Sequence, residues 1–202
     1  MGFLLNSFTF QKFIVATGGT ITENGNYKVH TFNASDDFVV STAESPNNVV
    51  EYLVIGGGGS GATANDTQNS EGGGGGGAGG FRTDTGHEVS VQTYGITVGA
   101  GGAIVTSAIA NGNNGTNSVF SSITSLGGGG GGKGTNGAGL SGGSGGGAGA
   151  GTSAGSGGGS SSNGNNGGSG ANLARAGGGG GAGAVGQNAS EPDSGVGGFG
   201  GV

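Results

Sequence analysis

The chain has no cysteine and no tryptophan, a single methionine, two prolines, and only 8 % charged residues in 202 positions. Each shortage excludes a class of protein. Without cysteine there is neither a disulfide nor a thiolate metal site, and nothing in the sequence reports a redox compartment. The cations are Lys12, Lys28, Lys133, Arg82 and Arg175, against a formal net charge of −6. That leaves no basic stripe to displace counterions from a nucleic acid, and no Arg-Gly-Gly triplet or aromatic series supplies a stacking platform. No apolar run approaches the roughly 20 residues of a membrane-spanning helix. The opening "MGFLLNSFTFQKF" lacks a basic region followed by a long apolar core, so no signal peptide is expected. Asn6 also stands where a myristoylation signal requires Ser or Thr.

What is abundant is glycine, 60 residues, about four times the usual share of roughly 7 %. Ordering such a chain costs roughly 1–2 kcal/mol per residue, and glycine, serine and asparagine tracts bury little apolar surface to offset it. The character of the sequence changes near residue 127. Before it, "TGGTITENGNYKVHTF" reads as a hairpin with Asn24-Gly25 as a tight primed turn. "DDFVVST" and "VVEYLVI" read as strands; in the latter Val50, Tyr52 and Val54 face one way and Leu53 and Ile55 the other, as in a strand covered on both faces. "HEVSVQTYGITVGAGG" and "NSVFSSITSLGGG" follow, with Asn111-Gly112 and Asn114-Gly115 marking a turn between them. After Leu126 the large apolar residues are Leu140, Leu173, Val185, Val196, Phe199 and Val202, far outnumbered by glycine. They cannot build a conventional core.

Several fragments imitate catalytic motifs. Gly56, Gly58 and Gly61 fit the G-x-G-x-x-G dinucleotide loop, but no helix-forming segment follows to hold a pyrophosphate, and Glu71 is too close for a ribose ligand. Gly127, Gly132 and Lys133 fit the nucleoside-triphosphate loop, but Gly134 replaces the hydroxyl that binds magnesium. Ser141 and Ser144 sit in G-x-S-x-G through composition alone. His30 and His87 read as strand or turn histidines, and Asp36-Asp37 point apart on an extended chain. The transition from strand to glycine recurs at "VIGGGGSG" and "SITSLGGGGGG", which marks a building block, not a binding loop. No enzyme activity, cofactor or metal is expected.

Ordered glycine runs can pack as extended threefold helices, since the missing Cβ lets backbones approach closely. The fold class expected is all-β: a small antiparallel β-sandwich or β-meander plus a polyglycine II helix bundle. Three segments follow: 1–16 as an apolar N-terminal docking segment, 17–126 as a β domain with interleaved glycine runs, and 127–202 as a polyglycine II bundle with surface loops. Central glycines such as Gly129 and Gly179 should face neighbouring backbones, while Ser160 to Ser162 should form an exposed turn.

The succession "YKVHTF", "DFVV", "VEYLVIGGGGSG", "GGGGAGGFR", "YGITVGAGG" and "NGTNSVFSSITSLGGGGGG", from Ala16 to Gly183, resembles the glycine-rich domain of bacteriophage tail-fibre and other virion proteins. The alternation of glycine runs and spacers is similar in style to the tip adhesins of T-even-type phages. The resemblance implies a non-enzymatic protein of the virion surface: a fibre, decoration or receptor-binding adhesin subunit. It implies candidate receptor-loop residues at Asn65, Asp66, Gln68, Asn69, Asn163, Asn165, Asn166, Gln187 and Asn188. Phe3, Phe8, Phe10 and Phe13 read as a segment meant to be covered, docking on other virion chains or self-associating. A host-surface receptor is the further partner it suggests. Two other readings stay open: an ice-binding polyglycine protein, which would want a regular Thr array, and a nucleotide-binding enzyme.

Overall fold

The computed structural model describes residues 13–64, 72–151, 153, 155–171 and 175–189. Phe3, Phe8, Phe10, Asn65, Asp66, Gln68 and Asn69 lie outside the described residues. Within them the fold is all-β, without a helix, and every strand pairing is antiparallel. The strands are β1 (Val15–Thr17), β2 (Thr20–Asn24), β3 (Tyr27–Thr31), β4 (Asp36–Thr42), β5 (Val49–Ile55), β6 (Phe81–Glu88), β7 (Gln92–Thr97), β8 (Ser118–Phe120) and β9 (Ile123–Ser125). They form a five-stranded sheet ordered β1-β4-β7-β8-β9 and two ribbons, β2-β3 and β5-β6.

Alternation places Phe38 and Val40 of β4 on the buried face, where they join Ala16, Val54, Val89, Tyr94, Phe120 and Ile123 in one core. Phe120 is the hub: its ring lies 6.1 Å from Phe38, 5.8 Å from Tyr94, 6.3 Å from Tyr52 and 5.2 Å from His87, mostly edge to face. The β5-β6 ribbon thus packs across the five-stranded sheet through Tyr52 and His87. Burial pushes the Tyr94 hydroxyl pKa upward, but hydrogen bonds from Ser90 and Gln92 outweigh burial and leave it below its ordinary value.

Two sequence expectations need correction here. β5 is covered on one face only: Val54 is buried and Val50 and Tyr52 are half-buried, while Val49, Leu53 and Ile55 are exposed. A two-stranded ribbon meets a single packing partner, so its second face stays outside. In the β2-β3 hairpin the loop residues are Gly25 and Asn26, because Asn24 pairs with Tyr27. Gly25 alone supplies the left-handed conformation, at φ 59°.

The strands continue directly as glycine runs. β5 leads into residues 56–63, β6 is preceded by 72–80, and β9 leads into 126–134. Pairing persists past the strand ends: the Gly56 amide donates to Gly80 O at 3.0 Å, and the Gly80 amide to Leu126 O at 2.8 Å. Beyond that point the ladder changes period. Gly128, Gly131 and Gly134 donate to the carbonyls of Gly57, Ser60 and Thr63; Gly129 and Gly132 donate to those of Ser144 and Gly147; Gly127, Gly130 and Lys133 donate to the side-chain oxygens of Asn117, Asn114 and Asn111. Each residue of the run faces a different neighbour from the next, and the pattern repeats every third residue. Period two, the signature of a pleated strand, is absent from this run. Residues 56–63 behave likewise: Gly56, Gly59 and Ala62 donate to Gly80, Gly77 and Gly74, and Gly57, Ser60 and Thr63 donate to Thr116, Asn113 and Ala110. The lattice joins runs on both sides of residue 127.

The segment 110–117 corrects a further expectation. Its Asn-Gly pairs make no turn; Gly112 and Gly115 donate to Gly131 O and Gly128 O at 2.8 and 2.9 Å, as members of a run paired with residues 127–134. Among the described residues, positive φ occurs only at Gly18, Gly19, Gly25, Ser121, Thr135 and Asn136. The glycines of the runs, free to enter the left-handed region, stay out of it at every described position.

Candidate functional site

The lattice is held by backbone groups, and its polar side chains serve it. Asn165 Nδ2 donates to both Gly181 O and Ala182 O at 2.9 Å, and its own carbonyl accepts the Gly145 amide. Asn166 Oδ1 accepts from the Ser160 amide at 2.8 Å and its hydroxyl at 2.9 Å. Asn188 Oδ1 accepts the Ser169 amide at 2.7 Å. Asn163 holds Phe81 through its carbonyl, at 3.1 Å, and among the described residues its Oδ1 accepts only from Ser162 Oγ. Gln187 accepts the Gly178 amide through its main chain; its exposed side chain has no hydrogen bond among the described residues. The side-chain nitrogen of Asn165 and the side-chain oxygens of Asn166 and Asn188 thus work at the ends of glycine runs, where a carbonyl or amide lacks a main-chain partner. The neighbouring serines are less exposed than expected: Ser161 is half-buried and donates to Gly143 O at 3.1 Å, and Ser162 alone of the cluster is exposed.

The motif look-alikes are built into the same lattice. Gly128, Gly129, Gly130, Gly131 and Gly132, the would-be phosphate cradle, spend every amide on protein acceptors. Ser144 is fully buried, and its Oγ donates to Gly181 O at 3.1 Å. His30 Nδ1 meets Gly18 O at 2.9 Å with its ring against Phe38, and His87 lies between Tyr52 and Phe120.

A different surface opens where the chain enters the β domain. β1 is one of the two edge strands of the five-stranded sheet. Phe13, 73 % exposed, lines an open groove of about 520 Å³ together with Val15, Ser41, Thr42, Ala43, Glu44 and Val91. Val15 and Val91 are also exposed, so three large apolar side chains share one rim. The phenylalanine cluster marked this end of the chain in the sequence; Val15 and Val91 carried no such signal, being isolated valines of ordinary strand character.

An all-β body whose strands run into backbone-bonded glycine segments defines a glycine-rich domain. Residues 33–202 match the family described as "Glycine-rich domain", and the chain belongs to that family. No curated protein and no solved structure matches it.

Proposed function

We propose that this chain is a non-enzymatic structural protein of a phage virion surface, a fibre, decoration or adhesin subunit, in which polyglycine II helices form a rigid scaffold anchored through the N-terminal segment. The observation that carries the scaffold reading is the period-three bonding of residues 127–134 to three separate neighbours, which matches a helix of three residues per turn. Such a scaffold needs no hydrophobic core, only a partner for each amide, at about 0.5–1.5 kcal/mol net per bond.

The resemblance to virion glycine-rich domains supplies the setting. The exposed Phe13, Val15 and Val91 beside the β1 edge supply an attachment surface, for another virion chain or a second copy. Among the described residues of the candidate receptor loops, Gln187 has an exposed side chain free of the lattice; Asn165, whose side-chain nitrogen is engaged, and Asn166 and Asn188, whose side-chain oxygens are, would meet a receptor through their turns. Mass spectrometry of purified particles from the source culture, with antibody labelling of intact particles in the electron microscope, tests the reading. The chain is expected in stoichiometric amount and accessible to antibody. Its absence from washed particles overturns the assignment.

A further inference from the structure

Asn-Gly pairs stand at Asn24, Asn111, Asn114, Asn136, Asn163 and Asn166. This dipeptide is chemically fragile, because glycine has no side chain to hinder its nitrogen and turns freely toward the preceding Asn. The glycine amide loses its proton to solvent base, its nitrogen bonds to the Asn Cγ, and the Cγ–Nδ2 bond breaks, Nδ2 leaving as ammonia with a proton from water. The cyclic succinimide is then opened by water at either carbonyl, to aspartate or to isoaspartate. The reaction needs a free amide and a mobile side chain.

Inside the lattice neither is available. The amides that follow Asn111, Asn114, Asn136 and Asn166 donate to Gly131 O, Gly128 O, Lys133 O and Gly158 O at 2.8, 2.9, 2.9 and 3.0 Å. The four Asn oxygens are held as well, by the amides of Lys133, Gly130 and Ser153 and by Ser160. Asn24 is the opposite case. It lies exposed at the end of the β2-β3 hairpin, which is exposed along nearly its whole length. Neither its side chain nor the Gly25 amide has a hydrogen bond among the described residues, and the space around Gly25 is open.

We propose that Asn24 is a site of spontaneous deamidation, and that the glycine lattice protects Asn111, Asn114, Asn136 and Asn166 from the same reaction. Asn163, half-buried and with its side chain bonded among the described residues only to Ser162 Oγ, at 3.3 Å, falls between them. Conversion at Asn24 adds a carboxylate opposite Tyr27, whose hydroxyl donates to Glu51 at 3.2 Å. The isoaspartate form also lengthens the main chain at the turn and disturbs the hairpin register.

The test is incubation of the full chain in mildly alkaline buffer, folded and in denaturant, followed by peptide mapping with isoaspartate detection. In the folded protein Asn24 should convert more than about tenfold faster than the four lattice asparagines, and in denaturant the difference should collapse, because protection reflects local opening. Asn24→Gln should abolish the hairpin product and leave the remaining map unchanged. Equal rates in the folded chain, or no conversion at Asn24 while a lattice asparagine reacts, overturn the proposal.

Discussion

Asn114 and Gly130 are joined across two neighbouring runs: the Gly130 amide donates to Asn114 Oδ1 at 2.8 Å, while Asn114 Nδ2 reaches onward to Ser141 O at 3.1 Å. One side chain thereby ties three segments together. Asn111 and Asn117 repeat the acceptor role at three-residue intervals.

Replacing that side chain should leave a buried amide without its partner. Asn114→Ala is expected to destabilise by about 1–3 kcal/mol, whereas Ser122→Ala, at an exposed turn position without a side-chain hydrogen bond among the described residues, should stay within about 0.5 kcal/mol. Denaturant unfolding of the two variants beside the parent decides. Equal midpoints would mean that solvent serves Gly130 as well as Asn114 does.

Close backbone approach sets a second expectation. A Cβ on Gly129 would lie against Leu140 O, and one on Gly179 against Gly76 O, both closer than real side chains come; around Gly86 there is open space. Gly129→Ala and Gly179→Ala should each cost about 1–3 kcal/mol or more through forced backbone shifts. Gly86→Ala on exposed β6 should be neutral or slightly stabilising, by up to about 1 kcal/mol. Thermal melts that shift alike for all three would show the runs to be loose linkers.

How much of this was legible in the sequence differs by element. Phe38 and Val40, or Val50, Tyr52 and Val54, declare a buried face because alternating apolar side chains have period two. Leu53 and Ile55 look equally buried and are not, since a sequence records that a residue is apolar but not how many sheets surround its strand. The glycine runs were readable as repeated building blocks, yet their neighbours were not: identical glycines carry no side-chain code for register. The spacing of Asn111, Asn114 and Asn117 did hold that information. It was obscured because Asn-Gly ordinarily signals a turn, whereas here lattice bonds at Gly112 and Gly115 override that preference.

The proposed attachment surface gives a prediction that separates folding from assembly. Phe13 and Val91 are 73 % and 62 % exposed, so Phe13→Asp with Val91→Asp should change stability by no more than about 0.5 kcal/mol per site. The double variant should nonetheless lose incorporation into particles or self-association, measured by co-sedimentation. Normal assembly of the well-folded variant would remove this rim from the account and leave attachment to another surface.

The central claim, that the glycine runs are polyglycine II helices, is tested most directly by the backbone dihedral angles of Gly127, Gly128, Gly129, Gly130, Gly131 and Gly132 in a high-resolution crystal structure of the full chain. The account predicts φ near −75° and ψ near +145° at every one of these positions, about 3.1 Å of rise per residue. Angles clustered near −120° and +115° or −140° and +135°, the values of parallel and antiparallel strands, would contradict it.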